Sequence, residues 1–287
     1  MRRYAAHIMP LLQTTDVETY YTCVGRGEPL LFIHGLGSDA DGWAFQVPAF
    51  ADIYRVITYD LRGHGRSGHP PGPYTIEQFA ADAAALVDAL AATPAHVVGL
   101  SLGGAIAFQL ALDRPELVRT LTIVNSAPGL ELRTLAERLR WWSAIGTRWV
   151  LGHLLSPRRL GELLGRNLFP KPQQAAIRAV FVEHFAANDR RAYNAAARAL
   201  FAWNVLDRVG AIRCPTLIVS ADHDYTSVAL KAAYAARMPN AVLHVIRDSR
   251  HATPVDQPEP FNAALRAFVA SAATTPVTPP ARPNQTP

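Results

Sequence analysis

The chain has 287 residues, a formal charge of +5 and a hydrophobic share of 49%. That allows one large domain, or a core with an insertion, and no apolar run approaches the ~18 residues of a membrane span. The sequence pI is about 9.5, but the basic residues are scattered singly, without a cluster or interleaved aromatics, which argues against nucleic acid as a partner.

The start, MRRYAAHIMPLLQTTD, carries two arginines and a short apolar patch broken by His7 and Pro10. A signal peptide needs a longer unbroken apolar stretch, so this reads as a cytoplasmic N-terminus. Val17 to Val24 is a partly alternating strand, and Gly25, Gly27 and Pro29 make the turn after it. Leu30 to Ile33 is fully apolar and reads as a central strand ending in His34-Gly35-Leu36-Gly37. Gly42 to Asp52 reads as a helix and Arg55 to Tyr59 as a strand. Asp60-Leu61-Arg62-Gly63-His64-Gly65-Arg66-Ser67 follows as a tight, structural loop, with Asp60 and Arg62 placed for an internal ion pair. Thr75 caps a helix over Ile76 to Leu90, whose apolar residues recur at helical spacing.

Val97 and Val98 belong to a strand buried on both faces. Gly99 to Gly103 then reads G-x-S-x-G, and Ala105 to Leu112 is rich in helix formers. A serine between a strand and a helix, flanked by glycines, has the context of a nucleophile elbow. The helix start leaves unpaired N–H groups, so the N–H of Leu102 points where an oxyanion would form. Val118 to Val124 is the next strand, ending at Asn125.

Leu130 to Arg208 breaks the strand–helix alternation. Its helical stretches are Glu131 to Val150, Pro157 to Arg166, Gln173 to Ala187 and Arg190 to Trp203. Its aromatics are Trp141, Trp142, Trp149, Phe169, Phe181, Phe185, Tyr193, Phe201 and Trp203, most expected to pack helix to helix and about a third to face a pocket. Thr216 to Val219 and Ala241 to Ile246 are the last strands, and Gln257 to Ala270 is a closing helix. Thr274 to Pro287 is rich in Pro and Thr and reads as disordered. Cys23 and Cys214, far apart and each beside a strand, read as buried free thiols in a reducing compartment.

A serine hydroxyl needs a base within hydrogen-bond reach, and that base needs an acid to hold its tautomer. Of the ten histidines, His251 alone lies in a loop after the last strand with a helix to follow. Asp222 and Asp224, two residues apart after the strand Thr216 to Val219, are the candidates for the acid. A carboxylate must clear the strand end to reach His251, which favours Asp224. Asp222 is better placed to cap the turn through its own backbone.

From about Tyr20 to Val269 the chain resembles α/β-hydrolases of the lidded, serine-dependent kind, which include carboxylesterases, 3-oxoadipate enol-lactonases and C–C hydrolases of aromatic degradation. The His34-Gly35 loop, the D-x-R-G-H-G-x-S stretch, the G-x-S-x-G elbow and the Ser…Asp…His order carry that resemblance. It implies a mostly parallel sheet flanked by helices, with residues 1–129 and 209–271 as the core, 130–208 as a helical lid and 272–287 as a disordered tail. It implies Leu36 N–H as a second oxyanion donor, His34 as structural, and Asp224 as the acid. Relatives with an acid at the end of the sixth strand differ here, because Asn125 is an amide. The family's usual glycine before the histidine is Arg250 in this chain.

The reading is therefore a serine hydrolase of a carboxylic ester or lactone, acting through an acyl-enzyme with Ser101, His251 and Asp224. A C–C hydrolase of vinylogous diketones uses the same side chains, and an acyltransferase differs only in its acceptor. A small-molecule receptor on the same fold is the alternative of another class. Serine at the elbow argues against the alkyl-ester chemistry that haloalkane dehalogenases and epoxide hydrolases perform with aspartate. No metal-ligand spacing occurs at the elbow and no P-loop occurs, so neither metal nor cofactor is implied. The expected partner is a small-molecule ester or lactone, with no nucleic acid and no membrane; a homo-oligomer stays open.

Overall fold

The computed structural model describes residues 10–129 and 135–273. The expected tail from 274 onward, the N-terminal reading through residue 9 and the expected helix start at Glu131 lie outside them. Eight strands form one sheet: β1 (Leu11–Gln13), β2 (Glu18–Val24), β3 (Pro29–Ile33), β4 (Arg55–Tyr59), β5 (Ala95–Leu100), β6 (Val118–Val124), β7 (Thr216–Ala221) and β8 (Ala241–Ile246). Their order is β1-β2-β4-β3-β5-β6-β7-β8. β1 and β2 pair antiparallel, β2 runs antiparallel to β4, and β3 to β8 are mutually parallel.

Successive side chains of a strand point to opposite faces, so a strand buried on both sides feeds two cores. In β3, Leu31 and Ile33 enter one core while Leu30 and Phe32 enter the other. In β5, Val97 and Val98 divide the same way. The helices that cover the faces are α1 (Val47–Phe50), α2 (Ile76–Ala89) and α3 (Leu102–Asp113), then, beyond the insertion, α8 (Val228–Ala235), α9 (Thr253–Asp256) and α10 (Pro258–Ala273). Thr75 closes a capping box with Gln78 at the start of α2. The insertion between β6 and β7 supplies α4 (Leu135–Leu154), α5 (Pro157–Leu168), α6 (Ala175–Ala186) and α7 (Arg190–Ala202). No helix among the described residues is long and apolar enough to cross a membrane.

The strand order puts β3 between β4 and β5. The chain leaves β3 toward one edge and leaves β5 toward the other, so a crevice opens at the carboxyl ends of these two strands. The loop from His34 and the turn at Ser101 both start there.

Several local expectations differ from the structure. Gly42 to Asp52 is a 3₁₀ turn over Ala40–Trp43 followed by the four-residue α1, because Pro48 interrupts the amide pattern of a longer helix. β1 and α8 were not legible as elements; β1 has only three residues, and its partner β2 provides the ladder that defines it. Ala272 and Ala273, expected in the tail, complete α10. Cys23 is exposed on β2 rather than buried, while burial pushes the Cys214 thiol up to about 11.

Asp60 and Arg62 do not pair with each other. Asp60 accepts from Ala40 N–H and Arg66 N–H, each at 2.7 Å, and pairs with the Arg66 guanidinium at 2.8 Å. Arg62 points the other way, to Asp82 on α2 at 2.6 Å and to Asp16 at 2.7 Å. Gly63 and Gly65, at φ 72° and 51°, turn the chain after Arg62 and bring Arg66 back to Asp60, while Arg62 reaches α2.

Candidate active site

The elbow rests on three close approaches. A Cβ on Gly99 would lie 2.2 Å from the Gly103 carbonyl oxygen, one on Gly103 2.1 Å from that of Ile33, and one on Gly104 2.4 Å from Ser126 Cβ. No side chain fits these gaps, so β5 can turn into α3 within one residue. That residue is Ser101, at φ 55° and ψ −112°. Such a backbone in a non-glycine residue stores about 1–3 kcal/mol of strain, which the surroundings must hold. Ser101 N–H donates to Val124 O at 3.0 Å, and Ser126 Oγ donates to Ser101 O at 2.7 Å. Among the described residues no hydrogen bond is made by Ser101 Oγ, which faces the cavity described below.

Leu102 is the first residue of α3, so its N–H has no acceptor within the helix. Leu36 follows the end of β3 and lines the same cavity. The loop that carries it is held by His34, whose Nδ1 bonds Gly35 O at 2.8 Å and whose Nε2 accepts from Leu61 N–H at 3.0 Å. Those roles require a neutral ring, and burial pushes His34 below its ordinary value. His34 is thereby committed to the loop, as expected.

Asp224 lies three residues past the end of β7, with its side chain fully buried. Its Oδ1 meets His251 Nδ1 at 2.5 Å. Burial would raise this carboxyl, but the His251 bond and the charges of His251 and Lys231 outweigh it and hold Asp224 far below the usual range. His251 lies on the segment between β8 and α9, lines the cavity with Ser101, and is covered by Tyr225, whose ring centroid is 4.4 Å away. Asp222 is in a different place. It accepts from Asp248 N–H at 2.9 Å and Ser249 N–H at 3.0 Å, so it caps the turn after β8 rather than its own. The positive φ in that turn falls on Asp248, at 53°, and not on Arg250, so arginine fits where the family usually has glycine.

The sequence assigns two residues near this pair no part in the site: Asn125 reads only as not being the acid, and Lys231 carries no role. Asn125, at the end of β6, donates through Nδ2 to His251 O and Thr253 Oγ1 and accepts through Oδ1 from Ala221 N–H. Lys231, on α8, is fully buried and donates to Asp224 Oδ2 at 2.6 Å. A sequence signal existed for Lys231: it shares a face with the buried Tyr234 and Ala235, where a lysine is out of place.

The helices inserted between β6 and β7 and the carboxyl edge of the sheet border an open cavity of about 780 Å³. Ser101, Leu36 and His251 line it from the sheet side; Phe169, Phe181, Phe185, Phe201 and Trp203 come from the inserted segment. These are more aromatics than the third expected there, because Phe169, Phe181 and Phe185 pack on one another within the inserted segment and also line the cavity. The side chains of Trp141, Trp142 and Trp149 lie outside the described residues. At the rim, Asp39, Asp41 and His184 bring possible metal-ligating atoms within 4.8 Å of one another. Their charges already have protein partners: His184 meets Asp39 at 2.9 Å and Arg66 meets Asp41 at 3.3 Å. Among the described residues the cavity lining carries no lysine or arginine.

The geometry offers a hydroxyl facing the cavity on a strained elbow, an imidazole oriented by a buried carboxylate, and backbone N–H groups at a helix start, which together suit acyl transfer to a serine. The family model for the alpha/beta hydrolase fold matches residues 28–258. The chain is 33% identical to a protein of Azorhizobium caulinodans named "Putative carbamate hydrolase RutD", over 91% of this chain and 98% of that one. Among solved structures it is similar to the enol-lactonase from Burkholderia xenovorans LB400, with a TM-score of 0.82 and 25% identity, covering 91% of this chain and all of that one (100%). It is also similar to Est816, described as an N-acyl homoserine lactone degrading enzyme, with a TM-score of 0.74 and 35% identity over 90% of this chain and 100% of that one. These relatives support an enzyme with hydrolytic activity. With the fold, the elbow and a match spanning most of its length, the chain belongs to the α/β-hydrolase family and resembles the enol-lactonases within it.

Proposed function

We propose that the protein hydrolyses a neutral carboxylic ester or lactone through an acyl-enzyme on Ser101. The observation that carries this reading is the pairing of a strained serine elbow with the His251–Asp224 couple on one cavity wall. In the first step Ser101 Oγ bonds to the carbonyl carbon while its proton passes to His251 Nε2. Asp224 holds Nδ1–H and stabilises the imidazolium. The tetrahedral oxyanion accepts from the N–H groups of Leu36 and Leu102. Collapse breaks the bond to the leaving oxygen, which takes the proton from His251. Water then repeats the sequence in reverse and frees Ser101.

The apolar lid wall supports an acyl group that is short to medium in length or cyclic, and an acidic rim without lysine or arginine in the described lining supports a neutral substrate. The likeness to a lactone-degrading enzyme supports lactones within that class. The test is a panel of p-nitrophenyl esters, lactones and dienoates, with phosphonate labelling of the wild type and Ser101→Ala. The expected result is one label per wild-type chain, none on Ser101→Ala, and turnover of esters or lactones. Labelling that persists in Ser101→Ala overturns the nucleophile. Turnover of dienoates alone moves the reaction to C–C cleavage. A rate that climbs steadily to a C16 acyl chain contradicts the bounded pocket.

A further inference from the structure

Lysine is rare in this chain; Lys171 and Lys231 are the only two, among 28 Lys and Arg residues. One of them is buried with its side chain fully out of solvent. Lys231 Nζ donates to Asp224 Oδ2 at 2.6 Å, to Thr226 Oγ1 at 2.8 Å and to Thr226 O at 2.8 Å. Thr226 Oγ1 in turn donates to Asp224 Oδ2 at 2.8 Å. The three donors of the ammonium are thereby all used, and the triangle closes on one carboxylate oxygen. The other oxygen, Oδ1, meets His251. Lys231 itself does not line the cavity.

We propose that Lys231 is a positioning residue that shares the Asp224 carboxylate with His251, fixing its orientation and weakening its pull on the imidazolium. A carboxylate alone favours the charged imidazole beside it. A cation on its far oxygen offsets part of that field and holds the carboxylate in place. Burial pushes the Lys231 ammonium below its ordinary value, and the contact with Asp224 opposes that shift.

The charged and titratable groups around this unit are few. The β7–α8 loop supplies Asp224 and Tyr225, whose ring centroid lies 4.4 Å from that of His251. α8 supplies Lys231 and Tyr234, whose phenol is raised by burial and by the Asp224 charge and donates to Ser126 O at 2.9 Å. The segment after β8 supplies His251, and α9 supplies Asp256, which is engaged by Arg250 N–H and Gln174. Asp222 is spent on the backbone of Asp248 and Ser249. Lys231 is thus the cation held against the oxygen of Asp224 opposite His251.

This inference rests on the proposed acyl-enzyme reading, and the test separates the two. The pH profile of kcat/KM is measured for wild type and Lys231→Met, with melting curves and phosphonate labelling of both. The expected result is an acid limb moved up by about one pH unit in Lys231→Met, with KM little changed because Lys231 does not touch the cavity. If Lys231→Met does not fold, Thr226→Val decides. It withdraws one hydrogen bond from Asp224 without stranding a charge, and should move the limb in the same direction by less. An unmoved limb in whichever of these variants folds, with rate losses that merely follow the melting temperature, overturns the inference. If Ser101 is not the labelled residue in wild type, the functional reading fails instead.

Discussion

Asn125 ties His251 to the sheet: its Nδ2 donates to the His251 carbonyl at 2.9 Å, while its Oδ1 accepts from Ala221 N–H at 2.8 Å. One amide at the end of β6 thus joins the end of β7 to the segment that carries the imidazole, with a further bond to Thr253 Oγ1 at 2.7 Å. Its backbone sits at φ 46°, a conformation asparagine tolerates better than most residues. Asn125→Ala should destabilise the protein by about 2–3 kcal/mol, since it leaves buried backbone groups unpaired. It should also lower kcat by about tenfold or more through a displaced His251. Melting curves and steady-state kinetics on one preparation check both parts; an unchanged kcat would leave Asn125 as a purely structural clamp.

Ser101 offers a test in which stability and activity part company. Ser101→Ala should lose on the order of 10⁴-fold in rate and melt close to wild type, because the strained backbone persists. Ser101→Gly should be equally inactive yet more stable by about 1 kcal/mol, since glycine accepts φ 55° without the Cβ penalty. The comparison is a pair of melting curves. A Gly variant that melts below the Ala variant argues against stored strain at the elbow.

Asp224→Asn should lower kcat by about 10³ to 10⁴-fold at neutral pH. It should also destabilise the fold by about 3–5 kcal/mol, because the buried Lys231 ammonium loses its counter-charge. Asp222→Asn should act mainly on stability, through the turn at Asp248 and Ser249. Adding Lys231→Met to Asp224→Asn should recover much of the melting temperature but not the rate. A larger kcat loss in Asp222→Asn than in Asp224→Asn would transfer the acid role to Asp222.

Stability should fall on mild acidification. Burial lowers His64 to about 3 and also lowers His34, both below the 6.5 of a free histidine. Between those folded values and about 6.5 the unfolded chain binds protons that the native rings refuse. Stability is therefore full above about 6.5 and drains as pH falls toward the folded values, at up to roughly 1.4 kcal/mol per pH unit for each histidine. The depressed Asp224 adds its loss only below the ordinary carboxylate range. Urea midpoints at pH 7 and pH 5 measure the effect, and His64→Asn should reduce it. Equal midpoints in wild type would refute the buried-histidine account.

Much of the fold could be read from the residues because it depends on neighbours in the chain. The two-faced apolar runs of β3 and β5, the Thr75 cap and the glycines around Ser101 act over a few residues, and each reports a backbone shape directly. The order of Ser101, Asp224 and His251 was legible for a related reason: each follows the end of a strand, and parallel strands bring their carboxyl ends to one edge.

What only the tertiary structure decided is which charged group meets which, and which faces meet solvent. Asp60 pairs with Arg66, because the positive-φ Gly63 and Gly65 fold the loop back on itself, and Arg62 pairs with Asp82 on α2. Cys23 proved exposed because the strand near the sheet edge presents that position to water. Asn125 found partners across more than a hundred residues of chain. Periodicity records how a segment buries itself. A hydrogen bond between two loops depends on where distant strands end in space, and no local pattern carries that distance.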